Sequence, residues 1–259
     1  MSPIQDIDLY ISSMSKSMTD KMFFMDMIPN IGLIVDYGCA DGELIKTCNE
    51  IDSDISYVGY DIDQDMVAIA NNNIGDIGFV TDKWDRCVPR SLKESNSVLV
   101  LSSVIHEVYS YGAPDDIHQF WKRVFCSGFD YIVIRDLVPD SSIDRMSHPY
   151  DYYNITKNSD RWMIKSFEKV WGSLSNNKNL IHYLMKYRYE KNWDREVCEN
   201  YFPIYKNDLL NLIPDSYKVN YYDHYILPYV KDTIKNDMGV NLVDNTHVKL
   251  IIKRSTKNV

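Results

Sequence analysis

Five short apolar runs alternate with stretches of helical periodicity over the first half of the chain. The runs are Ile31-Gly-Leu-Ile-Val35, Tyr57-Val-Gly-Tyr-Asp-Ile62, Ile77-Gly-Phe-Val-Thr-Asp82, Asn96-Ser-Val-Leu-Val-Leu-Ser102 and Phe129-Asp-Tyr-Ile-Val-Ile134. Each has the length and composition of a buried strand. Residues 43–48, 64–73 and 115–125 predict helices between them, and in the last of these Ile117, Phe120, Trp121 and Val124 fall on one face. Strand and helix alternating at this pace imply parallel pairing through right-handed crossovers, with ligands bound beyond the carboxyl ends of the strands. Asp36, Asp61, Asp82, Ser102 and Arg135 all fall at such ends, which points to one shared site.

The flanks follow other patterns. Over residues 6–28, Leu9, Tyr10, Met14, Met18, Met22, Phe23 and Met25 recur at roughly helical spacing, so residues 1–30 predict an N-terminal helical segment, with Thr19-Asp20 as a break or cap. After Val138 the alternation stops. Residues 139–214 hold the aromatic stretch HPYDYY and two helix candidates, 159–171 and 179–201. That is too long for one connection in a compact fold, and it reads as a helical insertion or lid above the strand ends. Residues 215–259 supply two more strand candidates, 217–226 and 246–253, with a helix at 230–237 between them.

The chemistry begins at Asp36, followed by Gly38, Ala40 and Gly42 at alternate positions. A turn of small residues between a strand and a helix lets backbone N–H groups approach a ligand closely. Roughly 20 positions on, Asp61 stands where a nucleoside-binding βαβ unit places its ribose carboxylate. In this order and spacing, VDYGCADGELI, YVGYDID, FVTD, VLVLSSVIHEV and YIVIRDLV resemble the motifs of class I S-adenosylmethionine-dependent methyltransferases. The resemblance covers residues 31–138 well and the C-terminal strands weakly. Ala40 departs from it, standing where the middle glycine of GxGxG usually sits. The resemblance implies a Rossmann-like α/β fold, a seven-stranded mostly parallel sheet ended by an antiparallel hairpin. It also implies S-adenosylmethionine as cofactor, held by Asp36, Gly38, Ala40, Gly42, Asp61, Ile62, Asp82 and Ser102. Asp82 matches the position that meets the adenine amino group, and the N-terminal helical segment would lie over the cofactor pocket. A nicotinamide dinucleotide is disfavoured, because Glu43 stands where GxGxxG needs its last glycine.

Composition narrows the acceptor. The formal net charge is −9 and the pI about 5.1, so a phosphate backbone would be repelled unless basic residues gather on one face. A small-molecule acceptor is favoured over nucleic acid. Five cysteines without CxxC spacing fit a reducing compartment rather than a disulfide framework or a zinc finger. No apolar segment approaches membrane-span length and the N-terminus lacks a signal-peptide pattern, so the expected location is the cytoplasm. Oligomeric state is not legible. Asp115, Asp116 and His118 suit a helix cap better than a metal site.

Methyl transfer from a sulfonium needs in-line positioning, and a base only where the nucleophile must lose a proton. The candidates follow strand four: His106 as base or architectural residue, and Glu107 orienting it or holding a cationic substrate. Tyr109 and Tyr111 are expected at the rim, and Arg135-Asp136 abuts an apolar run, where charges must be paired or bind something. In the insertion, Arg195 and Tyr201 lie on a helix that mixes aromatics with charges. Lys186, Arg188 and Arg195 with the tyrosines form the basic and aromatic track that an RNA or nucleotide methyltransferase would use. A third reading keeps the cofactor pocket in a scaffolding module without turnover.

Overall fold

The computed structural model describes residues 18–89 and 95–255. The expectations at Leu9, Tyr10 and Met14 lie outside the described residues. Seven strands form one sheet: β1 (Ile31–Tyr37), β2 (Ser56–Tyr60), β3 (Gly78–Thr81), β4 (Asn96–Ser102), β5 (Tyr131–Leu137), β6 (Tyr217–Tyr225) and β7 (His247–Arg254). Their order is β3-β2-β1-β4-β5-β7-β6. β1 to β5 pair in parallel, and β7 runs antiparallel to both β5 and β6. This is the Rossmann-like, mostly parallel sheet that the sequence predicts, with the order reversing between β1 and β4.

Alternation along the strands divides the core. Ile34, Tyr57, Val98, Val100, Tyr131, Val133 and Ile251 pack on one face with Met18, Phe24 and Ile28 and with α2 (Glu43–Ile51) and α3 (Gln64–Ile74). Met18 belongs to α1 (Met18–Lys21), a short helix ahead of the sheet. Val35, Leu99, Leu101, Ile132, Ile134, Val248 and Leu250 pack on the other face. Phe120, Trp121 and Val124 of α5 (Pro114–Cys126) cover them, with α4 (Ile105–Tyr111) leading in from β4. Ile117 joins from the same stripe, as its spacing predicts.

Between β5 and β6 the chain forms the helical insertion. Its helices are α6 (Pro149–Asn158), α7 (Arg161–Trp171), α8 (Asn177–Lys186), α9 (Trp193–Glu196) and α10 (Lys206–Asn211). Ile155, Phe167, Leu180, Tyr183, Leu184 and Trp193 form a third core, which also takes Val230, Ile234 and Met238 of α11 (Pro228–Met238), the helix joining β6 to β7. Two local readings change. HPYDYY opens a helix, because Pro149 occupies the first helical turn without loss of a hydrogen bond and His148 Nδ1 accepts from Tyr150 N at 3.2 Å. The single helix expected over 179–201 breaks after Lys186. That buried ammonium turns back to donate to the carbonyls of Glu196 and Glu199, the latter at 2.6 Å, and the chain folds around it.

Candidate functional site

The end of β1 is shaped by backbone conformation. Gly38, Ala40 and Gly42 have φ of 75°, 47° and 82°, all left-handed. A Cβ on Gly38 would meet Val104 Cγ2 at 2.7 Å, so only glycine fits there. Ala40 holds its left-handed conformation at a cost of about 1–2 kcal/mol, and its N–H donates to Asp61 Oδ2 at 2.9 Å. The other oxygen of Asp61 accepts from Asp63 N at 2.9 Å, and Asp63 in turn caps α3 through the N–H groups of Asp65 and Met66. Asp61 is thereby fixed across the turn with lone pairs to spare on both oxygens. Burial raises its pKa, opposed by those backbone donors. Beside it, Ile62 leaves an apolar side chain 79% exposed just beyond the end of β2. Asp82 is close by, Gln64 Nε2 donating to it at 3.4 Å. Asp36 lies beneath, 3% exposed, its carboxyl pushed by burial to about 7.

The ends of β4 and β5 are built differently. Successive side chains of β5 leave opposite faces, so Arg135 and Asp136 separate across the sheet. Asp136 accepts from His106 Nδ1 at 2.7 Å, from Ile105 N at 2.7 Å and from Leu137 N at 2.7 Å. Burial opposes its charge, but His106 and these donors outweigh it and hold the carboxyl below its ordinary range. For His106, burial also disfavours the charge, yet Asp136, with Glu107 and Glu199, lifts it to about 9. At neutral pH the pair is an imidazolium on a carboxylate.

From α4 the network crosses to the insertion. Arg195 Nη2 bridges to Glu107 Oε1 at 2.9 Å and Arg195 Nε to Glu199 Oε1 at 2.7 Å, and Tyr111 OH donates to the same Glu199 oxygen at 2.8 Å. Tyr201 donates to Glu196, lies under Lys186 Nζ at 3.8 Å from its ring centroid, and meets the His106 ring edge-on at 5.2 Å. Burial raises Glu107 to about 7, against the pull of His106 and Arg195. His106, Glu107, Tyr111, Arg195 and Tyr201 are brought together. Tyr109 is not among them: its hydroxyl accepts from Trp121 Nε1 at 3.0 Å, in the core beneath α5. Nor does the basic track form, since Lys186 is fully buried and Arg195 is 6% exposed.

Ser102 ends β4 in register with Arg135 on β5. Arg135 donates through Nε to Asp20 Oδ2 at 2.9 Å and through Nη1 to Ser103 Oγ at 3.0 Å. Asp20 also takes Lys249 Nζ at 2.6 Å and Tyr225 OH at 2.6 Å, which pins α1 over the strand ends and buries Lys21 near Asp36. Asp136 was legible beside Arg135 as a charge abutting an apolar run, whereas Asp20 was read only as a helix break or cap. Of two surface clefts, one of about 510 Å³ around Tyr225, Lys231 and Asn245 borders this constellation through Tyr225, and one of about 480 Å³ is lined by Arg145, His148 and Asp244. Among the described residues no helix is long and apolar enough to cross a membrane.

By sequence, neither a family model nor a characterised protein matches the chain. By structure, it is similar to the pyocyanin biosynthetic protein PhzM, at 9% identity and a TM-score of 0.54 over 95% of this chain and 57% of that one. It is also similar to the mitomycin 7-O-methyltransferase MmcR, at 11% identity and a TM-score of 0.51 over 93% of this chain and 55% of that one. The chain thus spans somewhat over half the length of these two proteins. At such identities the likeness concerns the fold, and in fold the chain resembles the class I S-adenosylmethionine-dependent methyltransferases.

Proposed function

We propose that the chain transfers a methyl group from S-adenosylmethionine to a small-molecule acceptor. The observation that carries this reading is the hydrogen bond from Ala40 N to Asp61 Oδ2 across a left-handed turn, facing a buried His106–Asp136 pair at the next strand ends. The residues present fit the cofactor: a glycine cradle that a Cβ at Gly38 would fill, a fixed carboxylate for ribose hydroxyls, and an exposed apolar side chain, Ile62, for a purine face. Asp36, Gly38, Ala40, Gly42, Asp61, Ile62, Asp82 and Ser102 would hold it. When bound, it supplies an electrophilic methyl on a sulfonium whose departure leaves a neutral thioether.

The protein's own contribution is position and charge. Asp136 fixes the tilt of His106 and holds it protonated, so Nε2 presents a donor to an acceptor oxygen rather than a free lone pair at neutral pH. Glu107, held by Arg195, lines the same space as a group that titrates near neutrality and can receive a proton released after attack. Tyr111 and Tyr201 wall the acceptor from the insertion side, and the insertion excludes water from above. Burial of Lys186 and Arg195 leaves the RNA reading without its basic track, which favours a small acceptor.

The test is a thermal melt with S-adenosylmethionine, S-adenosylhomocysteine and NAD, followed by incubation of labelled S-adenosylmethionine with separated small-molecule, RNA and protein fractions. A shift of the melting temperature with the two sulfur nucleosides and none with NAD is expected, with label entering small molecules. No shift at millimolar nucleoside would remove the cofactor, and a shift without transfer to any fraction would favour the scaffolding module.

A further inference from the structure

β6 is the last strand of the sheet, so one row of its backbone N–H and C=O groups has no strand beside it among the described residues. Such an edge is a template for another strand, and proteins that keep it single guard it with charges, bulges or cover. β6 carries a bulge: Val219 lies opposite Ile252 of β7 and Tyr221 opposite Ile251, which leaves Asn220 as the extra residue. Residues directly opposite share a face, so the bulge shifts the alternation by one. Val219 and Tyr222 therefore lie on one face, opposite Ile252 and Leu250, and Lys218, Tyr221 and Asp223 on the other. Val219 is 50% and Tyr222 37% exposed, two large side chains on the same face of an open edge.

The charges of this edge are unmet within the chain. Lys218 stands opposite Lys253, a like charge, and Asp223 opposite Lys249, whose ammonium is taken by Asp20 Oδ1 at 2.6 Å. Neither Lys218 nor Asp223 forms an ion pair among the described residues. We propose that β6 pairs antiparallel with β6 of a second copy of the chain, about a two-fold axis at Tyr221. An axis normal to the sheet preserves each face, so only registers that join residues of the same face are open. With the axis at Tyr221, Lys218 of each copy meets Asp223 of the other, and Val219 meets Tyr222. Moving the axis to Val219 or Tyr222 sets Lys218 against Tyr221 or Tyr225 and leaves both charges unmet. Opposite charges and aromatic with β-branched side chains are the pairs that stabilise antiparallel strands. The lysine and the bulge, which repel other strands, are thus in register with themselves. Two-fold pairing uses up the edge and closes at a dimer. It does not depend on the methyltransferase reading.

The test is sedimentation velocity of the full chain at rising concentration, for the wild type, Lys218→Asp, Asp223→Lys and the double reversal. A concentration-dependent dimer is expected for the wild type. Each single reversal brings like charges together at both ends of the paired strands and should weaken the dimer about 5- to 100-fold, and the double reversal should restore it. Melting temperatures of the dilute variants check that the fold is kept. Tyr221→Cys reads the register without touching a charge. Across an antiparallel pair the two Cα atoms at the axis lie about 4.5–5.5 Å apart, within disulfide reach. Mild oxidation should therefore link two copies of Tyr221→Cys beyond the wild-type level, whereas Val219→Cys, whose thiols are set apart along the strands, should stay unlinked. A chain that stays monomeric up to submillimolar concentration overturns the pairing. So does a dimer that ignores both single reversals, one that the double reversal does not restore, or one whose Tyr221→Cys form is not linked.

Discussion

The β1–β2 end of the site and the β4–β5 end do their work by different means. The first is made of backbone: three left-handed residues within five positions and a carboxylate whose partner is an amide 21 residues away. Its side chains are partly open, as at Ile62 and Asp82. The second is made of buried charges gathered over long separations, 30 residues for His106 and Asp136 and 88 for both Glu107 with Arg195 and Tyr111 with Glu199. A backbone-built end has a fixed shape and suits a ligand whose shape is constant. An end built from mutually dependent charges fails when one member is lost, and it can be retuned through the insertion that supplies half of it.

Asp136→Ala should break the comparison most sharply. It strands an imidazolium and two backbone donors in the core, and a loss of about 3–5 kcal/mol in denaturant unfolding is expected. A loss below 1 kcal/mol would mean that the pair is not buried as described.

The next effect is a dependence on pH. The folded pKa of His106, about 9, lies above its ordinary 6.5, so the stability it contributes is fully present below pH 6.5 and lost as pH rises through about 9. The stability gap between wild type and His106→Asn should therefore be widest near pH 6 and close above pH 9, measured by urea unfolding at several pH values. Turnover of the same variant should stay within about tenfold of the wild type, since a lost general base would cost about 10²–10⁴-fold.

On the backbone-built side, Asp61→Ala should weaken S-adenosylhomocysteine binding by about 1.5–3 kcal/mol in calorimetry, with far less effect on unfolding than Asp136→Ala. Unchanged affinity would assign the ribose to another acid, with Asp63 the nearest. The smallest effect concerns Ala40. Replacement by glycine relieves a left-handed alanine and should stabilise the fold by about 1 kcal/mol while preserving nucleoside affinity. A fall in affinity would show that the methyl group touches the ligand.

What the sequence by itself determined lies where physics is local. Strand runs, crossover helices and the small-residue turn depend on periodicity, on positive φ and on short spacings, so β1 to β5, the apolar stripe of α5 and the Asp61 clamp follow from residues close along the chain. Tertiary structure alone decided which charges meet. Arg135 and Asp136 read as one charged pair, but strand alternation sends them to opposite faces, one to Asp20 and Ser103 and the other to His106. Residues 179–201 read as one amphipathic helix. Burying Lys186 requires acceptors, and the carbonyls of Glu196 and Glu199 serve only if the helix ends and the chain returns. Tyr109 and Tyr111 look alike in sequence, two residues apart on a short helix, yet one phenol faces Trp121 in the core and the other Glu199 of the insertion. A desolvated charge or hydroxyl takes whichever partner the packed elements bring within reach, and that choice is made in space rather than along the chain.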